Sequence, residues 1–150
     1  MKKLSAMAAS AVILLSSAAF AETIDTKANI QKRADAWKDA YNNRDADALA
    51  KMYGANATYS SAYWTASGQE NIRDGFKKSF GAAGAVFTSI TVDQSTGIGT
   101  MNYASGTWSA TMKGRNGDVV PIGGHWLSVA EQGVILVHVS NTQMPLPAAK

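Results

Sequence analysis

Three segments in the first half of the chain place apolar residues at helical spacing. Over residues 26–42 they recur every three or four positions with charged residues between them, which predicts an amphipathic helix. These apolar positions are Ile30, Ala34, Trp37 and Tyr41. Asp45 is placed to cap a short second helix that Gly54 ends. A capping-box spacing over residues 67–70 predicts a third helix that ends at Gly81.

After Gly81 the apolar period changes from helical to two. Segments rich in β-branched and aromatic residues predict four antiparallel strands. They cover residues 85–93, 98–113, 118–130 and 134–142, and a short strand is predicted earlier, over residues 57–61. Asn116-Gly117 favours a type I′ turn, and Ser105-Gly106 predicts a bulge that bends the sheet. Three N-terminal helices packed in a strongly curved antiparallel sheet define an α+β fold.

The first 21 residues have the pattern of a secretory signal peptide. Lys2 and Lys3 precede an uncharged apolar run over residues 4–20, and Ala19 and Ala21 present small residues to a signal peptidase. The run is shorter than the ~20 apolar residues of a membrane span. We therefore expect cleavage after Ala21 and a mature protein without membrane attachment. The chain has no cysteine, so it forms no disulfide and carries no lipid on sulfur, and we expect a periplasmic or secreted protein.

Charge and length limit the possible partners. Removing Lys2 and Lys3 lowers the basic count from 14 to 12, against 11 acidic residues. A nearly neutral surface without a basic run argues against nucleic-acid binding. The remaining length fits one domain over residues 22–144, followed by a flexible tail over residues 145–150.

The two histidines of the chain lie in the last two predicted strands. If Ala130 pairs with Gly133 across a two-residue turn, His125 falls opposite His138 on the same face of the sheet. A register shift of one residue would place them on opposite faces. Paired imidazoles are the candidate catalytic residues, because they can act as general acid and base near neutral pH.

The alternative for this pair is structural. Both imidazoles would then bond to neighbouring hydroxyl groups, such as those of Ser140 and Tyr59. No carboxylate lies near either histidine in the sequence, so a metal ion would lack a further ligand. Serine nucleophile elbows, phosphate loops and dinucleotide fingerprints are absent as well. The sequence predicts neither a metal site nor a cofactor.

Several aromatic residues are candidates for the walls of a binding pocket. They are Trp37, Tyr41, Tyr59, Tyr63 and Trp64. Such rings stack on ring-containing ligands, and ordinary core packing is the alternative for each of them. On the opposite face from the histidines, period two places an apolar set consisting of Trp126, Ile135, Val137 and Val139. An exposed apolar sheet face of this kind predicts a homodimer.

Several motifs resemble one protein superfamily. The segment WKDAYNNRDADALAKMY over residues 37–53, followed by NAT over 56–58, resembles the opening helices of nuclear transport factor 2 and ketosteroid isomerase-like proteins. GQENI over 68–72, followed by Phe76, resembles their third helix. GHWL over 124–127 and VHVS over 137–140 resemble the closing strands of the SnoaL-like and DUF4440-like branches, which include the association domain of calmodulin-dependent kinase. The resemblance implies a cone-shaped fold with a pocket open at one end.

The resemblance also argues against one activity. The isomerase's oxyanion-hole tyrosine falls on Trp37, its proton-shuttling aspartate on Ser61 and its protonated aspartic acid on His125. None of the three is preserved, so we do not expect ketosteroid isomerisation. The same comparison implies that His138, Ser140 and Thr142 face the pocket together with His125.

These observations predict an exported pocket protein that binds a small cyclic or carboxylate-bearing molecule. Isomerase, cyclase or hydrolase chemistry stays open, since no nucleophile or base is assured. The predicted ligand-binding residues are Trp37, Tyr41, Tyr59, Ser61, Trp64, His125, His138 and Ser140. The alternative is a non-catalytic association module that acts through the outer face of its sheet.

Overall fold

A computed structural model describes residues 25–82, 84–114 and 116–143. The predicted signal peptide and tail lie outside these residues. The helices are α1 (Lys27–Asn42), α2 (Ala46–Lys51) and α3 (Gln69–Ala82). The strands are β1 (Tyr53–Ser60), β2 (Thr65–Ser67), β3 (Val86–Ile90), β4 (Gln94–Ile98), β5 (Met101–Lys113), β6 (Val119–Glu131) and β7 (Val134–Ser140). The three predicted helices and the α+β class are confirmed.

Side-chain caps start the first two helices. Thr26 Oγ1 accepts a hydrogen bond from the Asn29 amide at 3.2 Å, and the Asp45 carboxylate accepts one from the Ala48 amide at 2.9 Å. The predicted cap at Asp45 is therefore confirmed. Arg44 lies between the helices with a φ of 57°, a left-handed conformation that reverses the chain within a few residues. This tight turn lays α2 against the end of α1.

The sheet has the strand order β2-β1-β7-β6-β5-β3, and β4 pairs with β5 beside β3. It is curled and open, with the helices on its concave face. One expectation was wrong, because β1 runs parallel to β7 and the sheet is mixed rather than antiparallel throughout. A strand that precedes α3 enters here beside the last strand, a long-range pairing that no local sequence pattern specifies.

Two different strands pair with β5 on either side of Gly106. Strands β3 and β4 both pair with β5, and residues 91–93 connect them, so the structure has five strands after α3 rather than the predicted four. The Thr91 amide donates to the Thr107 carbonyl at 2.9 Å, and a Cβ added at Gly106 would lie 1.8 Å from the Thr91 oxygen. The predicted bulge at Ser105-Gly106 is not found, since the β5–β6 register runs without interruption; instead the other partner of β5 changes there from β4 to β3.

The two hairpins differ from the predicted turns. Lys113 pairs with Val119, so five residues separate the paired strands, rather than the two of a turn at Asn116-Gly117. Between β6 and β7, Gln132 and Gly133 have φ values of 48° and 84°, as a type I′ turn requires. This second turn joins the two strands that carry the histidines.

The core lies between the concave face and the helices. One cluster of buried residues joins α1, α2, α3 and β1, and its fully enclosed members are Leu49, Tyr53, Ile72 and Phe76. A second cluster joins the start of α1 to β5 and β6 and includes Ile30, Trp108 and Trp126. No described helix combines the length and apolar character needed to cross a bilayer.

Candidate ligand-binding site

A cavity of about 410 Å³ lies between α1, α3 and the concave face of the sheet. Seven of the eight predicted ligand-binding residues line it, namely Trp37, Tyr41, Tyr59, Ser61, Trp64, His138 and Ser140. Thr142 also lines it, as the family resemblance implied. The lining is mostly aromatic and aliphatic, which suits an apolar ligand.

The wall formed by α1 is an aromatic stack. Trp37 and Tyr41 are one helical turn apart, with ring centroids at 5.3 Å and an angle of 18° between the planes. The Phe87 ring meets both of them edge-on, at 5.4 and 4.8 Å. Trp37 is only 6% exposed, so it belongs to the core and to the pocket wall at once.

A second aromatic pair lies on the opposite side of the cavity, between β1 and α3. The Tyr59 and Trp64 rings have centroids 4.3 Å apart. Trp64 lies against Gly75 of α3, where an added Cβ would be only 2.4 Å from the indole ring. Ser61 holds the connecting turn, because its hydroxyl donates to the Trp64 carbonyl at 3.1 Å and accepts from the Trp64 amide at 3.2 Å. The predicted site residue Ser61 therefore positions Trp64.

His138 is the main polar group of the cavity interior. It is 9% exposed, and its Nδ1 lies 2.7 Å from the Tyr53 hydroxyl oxygen. The same oxygen accepts a hydrogen bond from Trp37 Nε1 at 3.0 Å. Three residues from α1, β1 and β7 thus form one buried hydrogen-bonded chain. The structural alternative named Ser140 and Tyr59 as partners, but the partner in the structure is Tyr53.

Burial decides the charge state of this group. It lowers the pKa of His138 to about 4, because the charged imidazolium would lose its hydration. Burial likewise raises the pKa of Tyr53 well above 10 and that of Tyr59 to about 12. All three side chains are therefore neutral at pH 7.

Two cations and no carboxylate occur among the residues described around the cavity. Arg33 forms an ion pair with Asp25, whose carboxylate also accepts from Asn102 Nδ2 at 3.3 Å. Lys78 is exposed on α3. The part of the chain that the structure describes holds no group of three His, Cys, Asp or Glu side chains able to bind a metal ion.

The predicted histidine pair is not formed. His138 pairs with Ser128, whereas His125 lies beside Asn141, whose side-chain oxygen accepts from the His125 amide at 2.8 Å. His125 is exposed on the outer face of the sheet. Both its assignment to the ligand site and its role as a catalytic candidate beside His138 were therefore wrong.

A β-bulge in β7 places the two histidines on opposite faces of the sheet. The turn itself is displaced from the predicted one, but that displacement alone would keep the two histidines on one face. Ala130 pairs with Ile135 and Val129 pairs with Val137, so Leu136 is an extra residue on β7. One extra residue reverses the inward and outward positions of everything beyond it.

The bulge also changes the predicted outer face. Trp126 is buried among the cavity residues, and Ile135 lines the cavity as well, so their assignment to the outer face was wrong. Val137 and Val139 do lie outside, next to Val129 and Leu127 of β6. The outer apolar surface therefore exists with a different membership.

Sequence reasoning missed Tyr53 as a site residue. It is 1% exposed, so its ring belongs to the core. A buried tyrosine needs a partner for its hydroxyl group, and that requirement was the available signal. Trp108 and Trp126 line the cavity from the sheet and were missed as well, Trp126 because its face of β6 was taken as the outer one when His125 was placed inside.

Comparison with known proteins places this architecture. No protein-family model matches the sequence, and no curated protein matches it. Among solved structures, a ketosteroid isomerase-like protein from Erwinia carotovora atroseptica superposes with a TM-score of 0.68 at 15% identity, over 79% of this chain and 97% of that chain. An NTF-2 like protein of unknown function from Shewanella oneidensis gives a TM-score of 0.58 at 17% identity, over 75% and 95% of the two chains. The chain has an NTF2-like fold.

A third solved structure has a similar fold. A candidate association domain of calcium/calmodulin dependent protein kinase II from Xanthomonas campestris is 18% identical, with a TM-score of 0.62 and coverage of 81% of this chain and 91% of that one. The predicted NTF2-like fold is thereby confirmed. The SnoaL-like or DUF4440-like branch stays a prediction.

Proposed function

We propose that this NTF2-like protein is exported and binds a small, largely apolar ring compound in its cavity. The observation that carries the proposal is an aromatic cavity of about 410 Å³ with one neutral imidazole in its wall. Small-molecule sites in proteins are commonly ~300–1,000 Å³ and apolar, with few polar groups. The volume and the lining both support this class of ligand.

The charge state of the site favours a neutral ligand over a carboxylate at His138. A carboxylate is best stabilised by a positive charge, and His138 is neutral at pH 7. An acidic group on the ligand would have to lie near Arg33 or Lys78 instead. Binding is also favoured over acid–base catalysis, since no carboxylate lies among the described lining residues and Nδ1 of His138 is occupied by Tyr53.

A cavity-filling variant tests the proposal. Ala34 lines the cavity on α1, whereas Ala36 is exposed on the same helix. The probe is 2-acetylnaphthalene, and its binding is measured by tryptophan fluorescence or NMR shifts. We expect the wild-type protein and the Ala36→Phe variant to bind it equally well. Ala34→Phe should bind it at least about tenfold more weakly, since the added ring occupies the ligand's space. Equal binding by all three proteins, or no binding by the wild type, would overturn the proposal.

Export is supported by the leader pattern of residues 1–21. Expression of the full chain in a Gram-negative host, followed by N-terminal sequencing of the periplasmic fraction, tests it. The expected first residue is Glu22. Recovery of an intact Met1 in the cytoplasm would contradict export.

A second candidate function is self-association through the outer face of the sheet. Leu127 and Val139 are 36% and 44% exposed there, and they are directly paired across β6 and β7. Exposed apolar side chains at adjacent positions favour burial against a second copy. Light scattering of the mature protein should give twice the mass of residues 22–150.

A matched pair of charged variants sharpens the test of association. Leu127→Glu should give the monomer mass, because two carboxylates would face each other across an isologous contact. Val119→Glu, at the exposed start of the same strand, should leave the dimer unchanged. A monomeric wild-type protein would remove this second function.

A further inference from the structure

The chain of hydrogen bonds behind His138 has a consequence for what the cavity accepts. An indole N–H only donates, whereas a phenol hydroxyl can accept and can donate its single hydrogen. Trp37 Nε1 donates to the Tyr53 oxygen at 3.0 Å, so that oxygen already has one donor. The remaining question is the direction of the 2.7 Å contact between the Tyr53 oxygen and His138 Nδ1.

Counting hydrogens settles the direction of this contact. If Nδ1 carried a proton and donated to Tyr53, the phenolic hydrogen would need another acceptor. Tyr53 is 1% exposed, and its oxygen makes no other hydrogen bond among the described residues. An unsatisfied buried hydroxyl is penalised, so the favoured arrangement has Tyr53 donating to Nδ1.

The other imidazole nitrogen then carries the proton. A neutral imidazole with an acceptor at Nδ1 is a donor at Nε2. Among the described residues, Nε2 makes no hydrogen bond. It is not one of the fully buried atoms without a partner, so part of its surface is accessible. His138 lines the cavity, so the free Nε2–H group is open to it.

We propose that Trp37 and Tyr53 fix His138 as a hydrogen-bond donor, so that the cavity selects ring compounds that present a hydrogen-bond acceptor to Nε2. Tyr53 is the positioning residue of this site. The chain ends at an indole that cannot take up a proton, so no relay is available to turn His138 into a base through Nδ1. The preference for acceptor-bearing ligands rests on the proposed function, whereas the assignment of the His138 tautomer does not.

The first test is the tautomer of His138 in the mature protein. The chain has two histidines, and NMR of protein labelled with ¹⁵N at histidine gives two imidazole patterns, which His125→Gln assigns. We expect one neutral species protonated at Nε2 for His138 at pH 7. A pattern protonated at Nδ1, or an even mixture of both tautomers, would overturn the inference.

A matched pair of tyrosine variants tests the role of Tyr53. Tyr53→Phe removes the donor to Nδ1, so the Nδ1–H form should become populated in the spectrum. Tyr59→Phe removes the hydroxyl group of another tyrosine whose ring lies 5.2 Å from the His138 ring but which is not bonded to its Nδ1. The Tyr59 variant should keep the wild-type tautomer, and the same change in both variants would contradict a specific role for Tyr53.

The ligand preference is tested with two probes of nearly identical shape. 2-Acetylnaphthalene offers a carbonyl acceptor, and 2-isopropenylnaphthalene replaces that oxygen with a CH₂ group. We expect the wild-type protein to favour the ketone by about fivefold or more, as is typical of one hydrogen bond in a dry site. The preference should fall towards unity in Tyr53→Phe and persist in Tyr103→Phe, which removes the hydroxyl group of a tyrosine that does not line the cavity.

The outcomes separate the two proposals. Equal binding of both probes to the wild type would overturn the acceptor preference and leave the cavity as an unselective apolar site. Binding of neither probe would overturn the proposed function together with the ligand preference. The tautomer spectrum does not depend on a ligand, so it still decides whether Tyr53 fixes His138. If Tyr53→Phe fails to fold, the wild-type spectrum and the probe pair decide the question without it.

Discussion

The two faces of β6 carry alternate residues of one strand and have opposite physical character. The inward residues Gly124, Trp126, Ser128 and Ala130 are buried, whereas the outward His125 and Leu127 are exposed. The two histidines follow the same division, with His138 in the cavity wall and His125 in solvent. Residue type therefore does not determine the role of a histidine here, and the face of the strand does.

The largest expected effect lies on the inner side. Trp37→Ala removes a 6% exposed ring that packs on four other rings and donates to Tyr53, so we expect the free energy of unfolding to fall by about 3–5 kcal/mol. Chemical denaturation measures it. A loss below about 1 kcal/mol would show Trp37 to be an open wall rather than core, and the contrast between the faces would weaken.

The buried histidine should make stability depend on pH. Its pKa is about 4 in the folded protein against a usual 6.5, so protonation favours the unfolded state. The free energy of unfolding is unaffected by this group above pH 6.5. It decreases as pH falls from 6.5 towards 4, by as much as about 3 kcal/mol. The difference between wild-type and His138→Gln denaturation curves, measured from pH 7 to pH 4.5, isolates it from the titration of the carboxylates. Parallel curves would contradict a buried neutral imidazole.

Gly124 tests close packing on the inner face. An added Cβ would lie 2.1 Å from the Asn141 carbonyl oxygen and 2.9 Å from the Trp108 ring. We expect Gly124→Ala to cost about 1–3 kcal/mol of folding free energy, the usual range for overpacking. Gly81→Ala is the control, because nothing lies within 4 Å of a Cβ there. Equal thermal denaturation midpoints for the two variants would argue against this packing.

The smallest effect is expected next to Gly124, on the other face. His125→Ala alters an exposed side chain whose backbone amide, rather than its imidazole, bonds to Asn141. We expect stability to change by less than about 0.5 kcal/mol and the affinity for 2-acetylnaphthalene to stay unchanged. A clear loss of affinity would restore His125 to the site and would require a different register between β6 and β7.

Sequence patterns with a local cause predicted their elements well. The helical spacing of Ile30, Ala34, Trp37 and Tyr41 and the cap at Asp45 both correspond to the structure, because each depends on residues within a turn or two of the helix. Two aromatic members of the site, Trp37 and Tyr41, were found for the same reason. Residues at i and i+4 of α1 must share a face, and that face had to meet the sheet.

Features that depend on strand pairing rather than on local spacing were not available from the sequence. The parallel placement of β1 beside β7 joins residues far apart in the chain, whereas β4 pairs with the neighbouring β5 across a short turn. The most consequential case is the bulge at Leu136, which shifts the pairing register of β7 by one residue within a run of similar aliphatic side chains. Val134 to Val139 are apolar on both faces, so their pattern gives no preference for one register over the other.

By itself, the sequence determined the helices, the α+β class and the aromatic, cysteine-free character of the pocket, since these follow from short-range periodicity and composition. The tertiary structure decided which histidine enters the cavity and which tyrosine bonds to it. One extra residue in β7 exchanges inside for outside, and the curl of the sheet then brings Tyr53 and Trp37 to His138. Both outcomes depend on strand register and on burial, which become defined only when distant parts of the chain pack together.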